Sequence, residues 1–479
     1  MIKFLTLLVV SLVVSCTQKE PENPSLHPAL QITLADADVN TATVKVDMVN
    51  ATGCSVLCCS PDEAAPAADK IVKKGVGAVD GKAVLTGLQS RTLYTAYAVA
   101  YDAKGHNSEV ASLDFRTAKG ADELYSWEEA RGDRLLSYDN LALCYGGSKH
   151  RDPVNWDAER FRPHVLYTDA SGKEHWLFDA FLAIEFVMTQ YNMSLNLGQQ
   201  RPSGDKKSWQ ALIDYWFDPE NGFAALDKVI GEGITRIGEP STRRKVVMVI
   251  PDAVPYQQYA DATSSTTYWG TLDGEKMNFA IAEHRLRAMQ WYVDEVRARW
   301  DKACYKNIDL AGFYIVSEDL AVPGYGWSAE LKHWEDIYPE FSKYLHSCNE
   351  SLTWIPYFAA GGYQLWQKFD IDYPFMQPNY FWHPEKSLSE FKKMVTEYNM
   401  SMEFEMDNEL FEGQPDYSSY RTRFYQYMDL CKELGFYHNR PLAYYFGTND
   451  YYNLSKSGSS VDKELFHDFS EFILGNIQH

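Results

Sequence analysis

The chain has 479 residues, 45% of them hydrophobic, and sets 66 acidic against 45 basic side chains for a formal net charge of −21. That length holds two or three domains and a large core, which excludes global disorder. The acidic excess argues against nucleic acid or an anionic membrane surface as partner, and suits neutral or cationic material.

The first stretch reads as an address. Met1-Ile-Lys3 is a short basic start, and Phe4 to Val14 is an apolar run too short to span a bilayer. It ends Val13-Val14-Ser15-Cys16, which resembles a bacterial lipobox. The expected events are cleavage before Cys16 and lipidation of that cysteine, giving a chain exported and held at the bacterial outer membrane by lipid alone. Residues 17–26 are polar and Pro-containing, as a tether is.

Residues 27–118 alternate like half-buried strands at Leu30–Leu34, Thr43–Met48 and Tyr94–Ala100, with turn signals at Asp80-Gly81, Gly87 and Lys104-Gly105. The segment Leu85-Thr-Gly-Leu88, then Leu93-Tyr94 and the strand to Tyr101, resembles a fibronectin type III sandwich. In such a fold Tyr94 is the corner tyrosine that bonds back to the loop before it. No catalytic constellation falls here, so the region reads as a spacer or docking module. Among the cysteines, Cys54 with Cys58 or Cys59 is a possible small disulfide loop. Cys144, Cys304, Cys348 and Cys431 sit singly within predicted elements, as buried thiols do. No Cys and His spacing matches a zinc site, and no metal or organic cofactor is expected.

After Thr117-Ala-Lys-Gly120 the pattern becomes strand and helix in alternation. Buried parallel strands are predicted at Leu141–Tyr145, Leu177–Phe186, Lys245–Ile250, Ile308–Val316, Leu352–Phe358, Tyr373–Tyr380, Met400–Met406 and Pro441–Phe446. Helices are predicted at Glu275–Trp300, Ala329–His346, Ser387–Glu397, Tyr417–Leu434 and Val461–Leu474. Residues 146–175 read as loop, and 187–244 as an insertion. The fold class is therefore α/β, a TIM-type (β/α)8 barrel over residues 123–479 behind a small all-β sandwich, with an open doubly wound sheet as the alternative.

The stretch Met400 to Asp407 organises the functional reading. Met400, Met402, Phe404 and Met406 share one parity, and Glu403, Glu405 and Asp407 the other. In a strand the two sets face opposite sides, so the acids point into the barrel lumen. Buried carboxylates there are expensive unless they bind or react. Active sites of such barrels form at the carboxyl ends of the strands. Standing there are Tyr145, Asp179 and Glu185, Asp252, Glu318 with Asp319, Gln377, Asn379, Tyr380 and Trp382, the acid triplet, and Tyr445. Acids and amides fork onto hydroxyl pairs while aromatic faces cover a sugar ring. The 14% aromatic content, with 32 Tyr and 13 Trp, fits either such stacking or an aromatic-rich core.

Two carboxylates at opposite rims are the minimal machinery of glycoside hydrolysis. Glu318 is the candidate acid and Glu405 the candidate nucleophile, with Glu403 and Asp407 as competitors for the second role. The other mouth residues are candidate carbohydrate-binding groups, except Asp319, which points the other way and reads as a cap or brace. Each has a plainer reading: Glu318-Asp319 as a cap pair, Asp179 and Glu185 as ion-pair partners of Arg, Asp252 as a turn residue, and Gln377-Pro378-Asn379 as a rigid strand end. The placement resembles the large glycosidase superfamily built on (β/α)8 barrels, in which the strand-four acid usually follows Asn; here Ser317 precedes Glu318.

Four segments carry a closer resemblance: Trp176–Phe181, Ala311–Asp319, Phe375–Asn379 and Met402–Asp407. They are similar to a family of lipoproteins from gut-type Bacteroidetes catalogued as a domain of unknown function, number 4855. The resemblance implies a glycosidase-like barrel and carbohydrate-using neighbours, and no assigned reaction. The expected function is an exported, lipid-anchored glycoside hydrolase. The alternatives are a non-catalytic surface glycan-binding protein, or calcium held by Glu403, Glu405 and Asp407.

Overall fold

The structure is a computed structural model, described here for residues 27–60, 63–90, 92–117, 138–196, 201–255, 266–320 and 337–476. Cys16, the apolar leader and the tether lie outside those residues. The chain divides into two compact units, one holding most of the N-terminal strands and the other the barrel.

The N-terminal region is all-β apart from one short helix, Ala68–Lys74. Ala29–Ala37, Thr41–Val49 and Lys82–Thr86 form one sheet; Val76–Gly77, Gly53–Cys59, Leu93–Tyr101 and Ala111–Arg116 form another. Tyr94 Oη accepts the Gln89 amide at 2.9 Å, a bond back across five residues. The expected small disulfide does not form. Cys54, Cys58 and Cys59 lie along one extended strand and are free thiols. Four residues of strand span about 13 Å, far beyond the reach of a disulfide.

The second unit is a closed barrel of eight parallel strands in chain order: β1 (Asn140–Tyr145), β2 (Ala180–Ile184), β3 (Arg244–Ile250), β4 (Ile308–Ile315), β5 (Ser351–Trp354), β6 (Tyr373–Met376), β7 (Ser401–Met406) and β8 (Leu442–Phe446). Each predicted strand is present, several of them shorter than expected. Closure leaves no edge, so both faces are covered and the strands read as near-continuous apolar runs; every residue of β1, β2, β3 and β7 is buried.

Around the strands lie α1 (Ala158–Val165), α2 (Lys206–Trp216), α3 (Gly222–Ile237), α4 (Ala282–Ala303), α5 (Tyr338–Ser347), α6 (Leu388–Glu397), α7 (Tyr417–Glu433), α8 (Asp450–Lys456) and α9 (Ser460–Asn476). Asp157, Asp205 and Ser387 cap α1, α2 and α6 through the backbone N–H three residues on. Three expectations are corrected here. Residues 146–175 contain α1, which an internal Pro163 disguises in the sequence. Glu275 begins a hairpin strand rather than a helix. Tyr268–Leu272 and Glu275–Asn278 pair through Asp273-Gly274, both at positive φ, the dipeptide that a two-residue hairpin turn favours. Between β5 and β6 there is a single 3-10 turn, Tyr363–Leu365, in place of a helix. Cys304, expected buried, is exposed at the carboxyl end of α4. Among the described residues no helix is long and apolar enough to cross a membrane.

Candidate active site

Strand β7 delivers the acids. Phe404 points outward, its ring 6.3 Å from Phe424 on α7 and 5.2 Å from Phe472 on α9. Alternation then turns Glu403 and Glu405 into the lumen, where they are 2% and 1% exposed. In the parallel pairing with β8, Glu405 stands beside Tyr445 and Glu403 beside Ala443, so Glu405 lies nearer the carboxyl end and Glu403 one pleat deeper.

Two donors fix Glu405. Tyr427 Oη, from α7, donates to its Oε2 at 2.7 Å, and the backbone N–H of Asn379 is a second donor. Asn379 holds φ at 54°, a left-handed conformation that Asn tolerates, and this bend past β6 turns its amide toward β7. Burial pushes Glu405 up to about 8; the two donors pull against that rise, and Glu318 adds to it.

Glu318 stands three residues beyond the end of β4. Gln377, just past β6, donates from Nε2 to its Oε1 at 2.9 Å. Burial raises Glu318 and the Gln377 bond opposes the rise, although the side chain keeps partial solvent exposure at the mouth. Its neighbours face elsewhere. Ser317 donates to Asp252, past β3, and Asp319 accepts from Tyr357 Oη at 3.1 Å and from the Gly361 amide at 3.0 Å. Asp319 is thus a brace, as expected.

The three glutamates share one space. Glu403 is raised well above the usual carboxylate range, first by burial and then by Glu405 and Glu318. The phenols of Tyr145 and Tyr314 are both raised, first by burial, with Glu403 and Glu318 contributing in each case. Such coupling decays with distance, so these groups from β1, β4 and β7 lie near one another inside the barrel. Tyr445 joins them, its ring 5.6 Å from Tyr145 and 5.8 Å from Trp382. Trp382 Nε1 donates to Asp407 at 2.7 Å, while Asp407 also accepts the Glu409 amide. Tyr380 lies 6.4 Å from Tyr427, ring to ring.

Two residues predicted for the mouth do something else. Asp179 precedes β2 at the level of Asn140, at the amino-terminal end of the barrel, and accepts the amides of Asp139 and Asn140 at 2.8 and 2.7 Å. Glu185 is at the correct end but is committed. Arg151 grips both its oxygens, at 2.6 and 2.8 Å, and the Phe186 amide adds a third bond at 2.9 Å. Among the described residues no group of three His, Cys, Asp or Glu side chains is placed to hold a metal, and Asp407 has turned to Trp382 rather than to Glu403 and Glu405.

Sequence reasoning missed Tyr427, Arg151 and the Ser317–Asp252 bond. Tyr427 had a signal: it shares the buried face of α7 with Phe424 and Met428, and a phenol on such a face needs a partner. Arg151 sits in a stretch with no periodic pattern and had none.

Residues 140–471 match the family model described as "Domain of unknown function (DUF4855)". The chain belongs to that family. The DUF4855 match begins at the first residue of β1 and takes in all eight strands and the glutamate cluster; its description assigns no reaction. No curated protein matches the chain. Similar solved structures include a fibronectin type III domain of human fibronectin type III domain containing protein 3, at 18% identity over 22% of this chain and 94% of that one. Another is a chitinase from Bacillus thuringiensis, at 15% identity over 20% of this chain and 14% of that one. Both have a TM-score of 0.16, too low to carry an argument about this DUF4855 protein.

Proposed function

We propose that the DUF4855 barrel is a retaining glycoside hydrolase, in which Glu318 is the acid/base and Glu405 the nucleophile. The observation that carries this reading is that Glu318, just past β4, and Glu405, late on β7, both stand toward the carboxyl end of the barrel, each held by its own donor, and act on each other electrostatically. Tyr427 and Asn379 both aim hydrogens at Glu405, which favours its ionised form and opposes the rise that burial imposes. Glu318 at the half-open mouth is placed to meet a leaving-group oxygen.

Chemically, Glu405 attacks the anomeric carbon as the glycosidic bond breaks, and the Glu318 proton passes to the departing oxygen. A water then attacks the glycosyl ester, gives its proton to Glu318 and frees Glu405. This route needs the two carboxyls about 5–5.5 Å apart and preserves anomeric configuration. Tyr145, Trp382 and Tyr445 supply ring faces at the rim, while Gln377, Asp252 and Asp407 supply polar edges. The lipobox at Cys16 supports export and lipid anchoring of the same chain, and Cys16→Ala is expected to release it from the membrane fraction.

The test is a screen of the pure protein on aryl glycosides and polysaccharides, repeated with Glu318→Gln and Glu405→Gln. Turnover by the parent that falls about 10³-fold or more in each variant supports the assignment. Turnover retained in both variants removes it. Glycan binding without cleavage by the parent makes the protein a surface glycan-binding module instead.

A further inference from the structure

Glycoside hydrolysis consumes two carboxyls, and this cavity has three. Glu403 is 2% exposed, and its Oε1 is buried with no hydrogen-bond partner. It lies on the lumen face of β7, one pleat beneath Glu405. A buried polar atom left unpaired is costly, and more so if charged. Nothing in the two-carboxylate scheme uses it.

Among the described residues, the arginine near the mouth does not answer this acid. Arg151, 4.8 Å over the Tyr145 ring, is bound at both ends by Glu185. Tyr145 and Tyr445 crowd the site with phenols whose own ionisation Glu403 disfavours. Among the described residues three acids stand together with no cation paired to them, an arrangement complementary to a ligand that brings one. A sugar hydroxyl gives Glu403 one neutral hydrogen bond; an ammonium gives it a charge-assisted bond and relieves the repulsion with Glu405 and Glu318. The net charge of −21 acts in the same sense at long range, concentrating polycations at low ionic strength.

We propose that Glu403 is the specificity-determining residue of the cavity and that it selects glycans whose sugars carry a free amino group, deacetylated hexosamine chains in particular. This rests on the mouth glutamates being the place where sugar is held. The acetamido form of the same sugar brings neither charge nor space for its added acyl group beside a buried carboxyl, and is disfavoured.

The experiment compares matched aryl glycosides of glucose and galactose that differ only in bearing hydroxyl, acetamido or ammonium at carbon 2. It adds calorimetric binding of glucosamine and N-acetylglucosamine oligomers to the Glu318→Gln protein. The inference expects kcat/KM at least tenfold higher for the amino substrates, and a preference ratio that falls at least tenfold in Glu403→Gln, a neutral isostere that keeps the core filled. Cleavage with no amino preference, or a ratio unchanged by Glu403→Gln, overturns the inference and leaves the hydrolase reading standing. Tight binding of glucosamine oligomers without cleavage by the parent keeps the inference and overturns the hydrolase reading. Neither cleavage nor binding overturns both.

Discussion

The hydroxyl of Tyr427 donates to Glu405 Oε2 at 2.7 Å while it accepts the Phe381 amide at 2.7 Å. The incoming amide occupies the oxygen side of the phenol, so its single hydrogen is committed to the carboxyl. A residue on an outer helix thereby favours the charged form of a group in the lumen.

Tyr427→Phe deletes that donor and leaves the ring in place. Glu405, already pushed up to about 8 by burial, rises further because one of the bonds favouring its charged form is gone. The nucleophile must be ionised, so the acid limb of the kcat/KM profile is expected to move to higher pH, with a loss of about 10–100-fold at pH 7. A pH–rate profile checks it: a uniform drop with no displaced limb assigns Tyr427 to packing alone. Folding stability falls by about 1–2 kcal/mol, part of it from the unpaired Phe381 amide.

The eight strands were legible because a closed parallel barrel buries both faces and writes each strand as an apolar run. The parity of Glu403 and Glu405 was legible for the same reason: one slip would put Phe404 in the lumen. Asp179 was misplaced because parity fixes a face and not a height. The predicted strand, Leu177–Phe186, took Asp179 in, whereas the real one begins at Ala180, so Asp179 lies before the strand at the floor with the whole of β2 between it and the mouth. Which partner each glutamate takes was not legible, since Tyr427, Arg151 and Gln377 come from three connections whose approach depends on closure, although Gln377 itself was expected at the mouth.

Asp179 tests that correction. Asp179→Ala strips the acceptor from two amides at the start of β1, and is expected to lower stability by about 2–3 kcal/mol with kcat unchanged in whatever remains folded. Denaturant melts beside single-substrate kinetics decide it. A changed KM or kcat at full stability would return Asp179 to the site.

Acid dependence of stability follows from the same burial. Glu405 and Glu350 are both pushed up to about 8, chiefly by burial. Burial opposes the charge on His346, yet Asp372 and Asp370 outweigh it and hold it at about 9. In each case the folded chain keeps a proton that the unfolded chain releases at lower pH, near 4.5 for the acids and 6.5 for the histidine. Stability is then fully present below those values and is lost as pH rises through about 8 to 9. Thermal melts from pH 5 to pH 9 are expected to show a falling Tm, flattened in Glu350→Gln. A Tm that climbs over that range would contradict the burial of these groups.

Glu185 offers the sharpest contrast with Glu318 and Glu405. It too is a lumen-end glutamate, but Arg151 meets it with two bonds, and its side chain is fully buried against a guanidinium only 13% exposed. Removing one partner of a buried pair strands the other charge, so Glu185→Ala is expected to cost about 3–5 kcal/mol. The double variant Glu185→Ala with Arg151→Met should recover most of that, because an apolar side chain of similar length leaves no orphan. Denaturation midpoints of both single variants and the double variant form a cycle. A coupling near zero would mean that the pair is solvent-screened and that Arg151 is available to charge the cavity, which would also weaken the case for an amine selected by Glu403.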